Sequence, residues 1–180
     1  MRSLTPLLVV AALTGATVAL STPALSRDAA APSVLPPAAP AGQSAMYGQI
    51  RSLGRAHGRF ELRFDPAWWL AGTAANRAAT EDGVINPGEQ VPNDYYIVDE
   101  GHRVLTFTVA PAARVTVLGT RLHQIRISVA DLVQLVNGRN PKHIPLMTSV
   151  ASFKDGFGFW IVIGNGYPNA VRSLDQQYRP

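Results

Sequence analysis

The sequence predicts a small α+β domain, mainly antiparallel β, folded as a partly closed OB-like barrel with two short helices. Three observations predict it. Short apolar/polar alternations recur along the second two thirds of the chain, turn residues separate them closely enough for hairpins, and two stretches alone switch to helical spacing.

Met46, Gly48 and Ile50 alternate with Tyr47, Gln49 and Arg51, and Phe60, Leu62 and Phe64 alternate with Arg59, Glu61, Arg63 and Asp65. These are two half-buried strands, with residues 53–58 as the hairpin connection. Asp65-Pro66 then supplies an N-cap and a first-turn proline, and Trp68, Ala71, Ala75 and Ala78 recur at helical spacing. A helix is expected to about Glu81, stopping at Gly83, with Gly72 as its weak point. A turn-rich loop follows, and Tyr95-Tyr96-Ile97-Val98 with Leu105, Phe107 and Val109 reads as another hairpin around Asp99-Glu100-Gly101-His102. Val115 and Val117 continue as a strand after a turn at Pro111, and Ile125-Arg126-Ile127 leads into a second helix. Ser128 and Asp131 make its capping pair, Val129, Leu132, Val133 and Val136 its apolar stripe, and Asn137-Gly138 its stop. Residues 140–156 carry Pro141, Pro145 and turn signals, so no long element is expected there. Phe157, Phe159, Ile161 and Ile163 line one face of a strand that turns at Gly164-Asn165-Gly166 and returns from Val171. The expected core is Phe60, Leu62, Phe64, Leu105, Phe107, Val109, Leu132, Phe159 and Ile161.

The ends of the chain divide it into three parts. Residues 1–26 have the form of a secretory signal peptide: Met1-Arg2 is a short positive start, residues 7–20 are apolar and uncharged, and Ala24-Leu25-Ser26 offers small residues at the cleavage positions. That run is too short and Ala/Thr-rich for a permanent span, and no basic stop-transfer flank follows, so no stable membrane span is expected in the mature protein. Residues 27–44 are a Pro/Ala-rich stretch with too few large apolar side chains to offset ordering entropy, read as a disordered tether. Residues 45–180 remain as a single β-rich domain. The expected location is secreted or extracellular, in association with the cell wall or free.

There is no cysteine, which excludes a lipid-modified cysteine anchor, a disulfide framework, a thiolate nucleophile and a Cys-based zinc site. The formal charge of +4 includes Arg2 of the signal peptide, and so small a balance argues against nucleic acid as the partner.

Phe64-Asp65-Pro66-Ala67-Trp68-Trp69-Leu70, Val91-Pro92-Asn93-Asp94-Tyr95-Tyr96-Ile97 and the closing Asp175-Gln176-Gln177-Tyr178-Arg179-Pro180 occur in one order along most of the mature chain. Together they resemble a family of uncharacterised small secreted proteins and lipoproteins of Gram-positive, especially high-GC, bacteria. In that family a strand ending in Asp-Pro leads to a Trp-Leu helix, a Pro-Asn-Asp-Tyr-Tyr segment follows, and a hairpin and a Gln-Tyr-x-Pro end close the chain. The resemblance implies architecture and export; it carries over no catalytic residue. The last turn departs from the family's short Asp-Gly, being extended here to Gly164-Asn165-Gly166-Tyr167-Pro168-Asn169.

Three groups of residues invite a functional reading. Glu81, Asp82 and Asp94, with Glu89 and Asn93 nearby in sequence, offer hard oxygen ligands for calcium, although no Asp-x-Asp-x-Asp-Gly spacing is present and Asp82-Gly83 and Asn93-Asp94 serve equally as a helix end and a turn. Trp68, Trp69, Tyr95, Tyr96 and Trp160 suffice for a stacking surface; adjacent Trp68 and Trp69 cannot both face one core, so one is expected to be partly exposed. Arg51, Arg55, His57, Arg59 and Arg63 would suit an anionic polymer, or simply form the solvated face of a hairpin. No nucleophile elbow, metalloprotease helix or phosphate loop is present, and no cofactor is expected.

The leading expectation is a secreted non-enzymatic binding domain whose partner is an extracellular or cell-envelope protein or polymer. Its surface is placed at Trp69, Asp82, Glu89, Asn93, Asp94 and Tyr95, because the loop joining them is longer than connection alone requires. Two alternatives stand beside it. One is a secreted hydrolase with a spatially assembled carboxylate pair such as Asp82 with Glu89 or Asp94; the other is a structural or inhibitory protein for another secreted protein.

Overall fold

The computed structural model describes residues 39–99, 103–151, 153–154, 157–164 and 170–179. The expected signal peptide, residues 1–26, and the expected tether up to residue 38 lie outside the described residues. In chain order the elements are β1 (Gln43–Ala56), β2 (Arg59–Ala71), α1 (Gly72–Glu81), β3 (Tyr95–Val98), β4 (Leu105–Leu118), β5 (Gln124–Ile127), α2 (Val129–Val136), β6 (Phe159–Gly164) and β7 (Ala170–Gln176). β1 thus begins at Gln43, which is in register with Gly164.

The sheet runs β3-β2-β1-β6-β7-β4-β5, and a further pairing of β2 with β4 closes β1, β2, β4, β7 and β6 into a five-stranded barrel. Every pairing is antiparallel except β4 with β7. This is the expected OB-like barrel, with α2 inserted between β5 and β6 and packed against β4 and β1. Ile50, Leu53, Leu62, Phe64, Val109, Val115, Phe159, Ile161 and Leu174 fill the interior together with Leu132 and Leu135 of α2. Residues of this size and burial each contribute about 1.5–3 kcal/mol by leaving water. Leu105 and Phe107, expected inside, are half-buried.

α2 forms as its sequence dictates. The Ser128 hydroxyl accepts from the Asp131 amide, the Asp131 carboxylate accepts from the Ser128 amide, and Val129, Leu132, Leu135 and Val136 are buried.

Four local expectations are corrected. The β1–β2 connection is not six residues long: the strands run on to His57-Gly58, both at positive φ (51° and 76°), the signature of a two-residue type I′ hairpin. Asp65-Pro66 does not open a helix, because β2 stays extended through Pro66, Trp68 and Trp69 to Ala71 and the helix begins only at Gly72. Two contacts hold it straight. Gly48 lies opposite Pro66, so close that a Cβ there would sit 2.1 Å from the Asp65 carbonyl oxygen, while Trp68, Trp69 and Leu70 pair with Val98, Ile97 and Tyr96 of β3.

β3 and β4 do not form a hairpin with one another. Both lie antiparallel along the same β2, Tyr95 to Val98 against its far end and Leu105 to Val109 against its near end, so they follow one line interrupted by residues 99–104. Of the turn expected at Asp99-Glu100-Gly101-His102, residues 100–102 lie outside the described residues. Nor does Pro111 end a strand: β4 passes through it, and the disturbance is a register shift against β7 between Val109 and Arg114.

Candidate aromatic cleft

Strand phase separates two apolar systems. Along β6, Phe159 and Ile161 point into the barrel while Trp160 and Val162 point out, and along β1 Ile50 faces in while Tyr47 faces out. Tyr47 and Trp160 are cross-strand partners in the register, and both are nearly inaccessible, at 2 % and 6 % exposure. They are covered from the other side by the end of β2, which has left the barrel to pair with β3.

Trp69 is the cover. Its ring stacks on Tyr95 of β3 at 4.3 Å between centroids and 18° between planes, meets Tyr47 edge-on at 4.8 Å, and lies 5.9 Å from Trp160. Tyr47 and Trp160 complete the cluster at 5.2 Å. Such pairs contribute about 0.5–1.5 kcal/mol each beyond their buried area, so the cluster fixes the angle at which β2 and β3 leave the barrel.

The polar tips of this cluster are poorly served. Trp69 Nε1 and Trp160 Nε1 are buried and have no hydrogen-bond partner among the described residues, and the buried Tyr47 Oη has only the Gly158 backbone beside it. Burial pushes the Tyr47 phenol up to about 12, with the Arg179 charge pulling the other way, and burial raises Tyr95 as well. Tyr47 is therefore a neutral hydroxyl at every ordinary pH.

Beside the cluster opens a cleft of about 320 Å³ lined by Ala45, Met46, Tyr47, Pro66, Ala67, Trp68, Trp69 and Trp160. None of these residues is charged. Trp68, one residue out of phase with Trp69, stands at its rim 67 % exposed.

Of the six residues predicted as a surface, Trp69 and Tyr95 come together in this cluster. The other four lie elsewhere. Asp82, the C-cap of α1, accepts from Tyr96 Oη at 2.9 Å; Glu89 accepts from the Asn86 amide and side chain and borders a shallow, open depression along α1 with Asn76, Arg77 and Glu81. Asn93 and Asp94 are exposed turn residues at positive φ (62° and 57°) that swing the chain into β3. The loop itself is anchored by Asn76 Oδ1, which accepts from the Val91 amide at 2.9 Å.

Glu81 pairs with Arg77 one helical turn away, and no group of three or more His, Asp or Glu side chains among the described residues is arranged to hold a metal, so Glu81, Asp82 and Asp94 do not converge on a calcium site. The basic hairpin is dispersed in a similar way: Arg51 bonds Asp65, and the Arg55 guanidinium sits 4.7 Å over the Phe60 ring. Tyr47 was the participant that sequence reasoning missed. Its signal was an aromatic on the polar phase of a strand, which a search for apolar faces passes over.

Comparison with family models, with curated proteins and with solved structures returns no match. The assignment of a role therefore rests on the geometry.

Proposed function

We propose that the chain is a secreted, non-enzymatic binding domain, acting at the cell envelope or outside the cell, and that the aromatic cleft is its recognition surface. The observation that carries this reading is Trp68. A large indole is left two thirds in water at the mouth of an uncharged cleft whose back wall is already packed and oriented. A lone exposed aromatic is ordinary; one placed over a preformed concave wall of Trp69 and Trp160 has the makings of an interface anchor. The form of residues 1–26, and the resemblance to small secreted Gram-positive proteins, support the location.

The hydrolase reading gains nothing from the loop carboxylates. Hydrogen bonds from the Asn86 side chain and backbone hold the Glu89 carboxyl below its usual range, the opposite of what a general acid needs.

The test is capture from culture supernatant and cell-wall extract by the chain beginning at Arg27, beside its Trp68→Ala variant. An unchanged melting temperature with capture reduced at least tenfold is the expected result. Equal capture by the variant would move recognition away from the cleft, and no capture by either protein would remove the binding reading. N-terminal sequencing of protein recovered from the medium should begin near Arg27; an intact Met1 would contradict export by cleavage.

A further inference from the structure

The cleft lies where two strands part. The β1–β2 ladder has Tyr47 opposite Ala67 as its last pair on this side, although β1 extends back to Gln43 and β2 onward to Ala71. Continuing the register would set Met46 against Trp68, Ala45 against Trp69 and Ser44 against Leu70. None of these pairs forms. Met46, Ala45 and Ser44 instead pair with Ile161, Val162 and Ile163 of β6, and Trp68, Trp69 and Leu70 pair with β3. Among the described residues each segment is thus laddered on one flank, and both border the cleft on the other.

An antiparallel edge presents a row of backbone N–H and C=O groups to whatever lies beside it. On the β1 side the residues are small, Ser44 and Ala45, and partly accessible, so another backbone can approach. Behind the cleft, the Trp69 and Trp160 indole N–H groups have no acceptor among the described residues. The lining holds no charge to balance a charged guest.

We infer that the cleft receives an extended, uncharged peptide segment of a partner protein, which adds to the edge of β1 at Ser44 to Met46 and lodges one apolar side chain between Trp68 and Trp160. This inference rests on the cleft being the recognition surface and names its ligand class. Backbone pairing supplies affinity and the pocket supplies side-chain selection. About 320 Å³, at the small end of ligand pockets, suits a single side chain.

The test uses the chain from Arg27 onward, labelled for amide NMR. The probes are blocked eight-residue peptides of alternating Thr and Val carrying Leu, Phe, Trp or Pro at the fifth position, with backbone N-methylated analogues of each, and a tetramer of N-acetylglucosamine. The expected result is that at least one peptide shifts the amides of Ser44, Ala45 and Met46 and the Trp69 and Trp160 indole signals, and that N-methylation on the pairing edge weakens it at least tenfold. Peptides that leave these signals unmoved, or bind equally when N-methylated, overturn the inference. A tetrasaccharide that alone moves the indole signals overturns it too, yet leaves the cleft as a recognition surface. That surface itself falls if Trp68→Ala captures as the wild type does, or if neither protein captures anything.

Discussion

At the scale of single residues, Tyr47 is the clearest case of chemistry set by surroundings. Its phenol is raised to about 12 from 10.0 chiefly by burial, so the fold favours the neutral form. The unfolded chain ionises first as pH rises. Stability from this group is therefore fully present below pH 10 and is lost as pH climbs from 10 through 12, to a total of about 3 kcal/mol for a shift of two units. Tyr47→Phe removes the titration together with a buried hydroxyl that has only the Gly158 backbone beside it. Its stability at pH 7 should match the wild type or exceed it by about 1 kcal/mol, with a flatter decline in chemical denaturation between pH 10 and 12. A variant that loses stability at pH 7, or declines as steeply as the wild type at high pH, would show that the hydroxyl makes a structural bond. Gly48 is decided by space alone. A methyl group 2.1 Å from the Asp65 carbonyl oxygen and 2.8 Å from Pro66 Cα meets backbone that cannot swing away, so Gly48→Ala should cost at least 2 kcal/mol, on the order of other overpacked sites.

Elements repeat the lesson that local signals hold where tertiary contacts agree with them. α2 was legible in its cap, its stop and most of its stripe, although Leu135 is buried where the expected Val133 is only half-buried. Ser128→Ala should lower stability by about 1 kcal/mol. Asp131 adds a pH signature: its carboxyl is held below the usual range first by a hydrogen bond from Lys142 and then by Ser128, so the stability it adds is present above the ordinary carboxylate pKa and is lost as pH falls through the lowered one. Asp131→Asn should flatten the acid limb of the stability profile; an unchanged limb would mean that neither the Lys142 bond nor the capping box persists in solution. β2 was misread beyond Asp65 because a capping residue, a proline and a helical spacing of alanines are statements about short segments. They were overruled by a strand partner, β3, that lies some thirty residues further along the chain. β3 and β4 were taken for a hairpin for the same reason, since nothing local says that two strands will dock end to end on a third.

For the whole molecule, barrel topology was legible in outline because strand alternation and turns are repeated many times, whereas strand order depends on pairings no window contains. The core followed from phase. Leu62→Ala, fully buried at 0 %, should cost about 2–5 kcal/mol by equilibrium unfolding, and a neutral result would mean that the interior of the barrel has been assigned to the wrong face. The candidate site was half legible. Trp69 and Tyr95 were named from composition, but their union with Tyr47 and Trp160 needs four strands to meet, and the loop carboxylates that looked functional are held by local partners such as Asn86 and Tyr96. Partner binding is proposed to cover the cleft between β1 and β2. Indole oxidation by N-bromosuccinimide, mapped by peptide mass, tests it directly, because Trp68 is 67 % exposed while Trp160 is 6 % exposed. In the chain from Arg27 onward, Trp68 should react first when the protein is free and become protected once the protein is loaded with the envelope or supernatant component it captures. Trp68 reacting at the same rate in the loaded protein would contradict the claim.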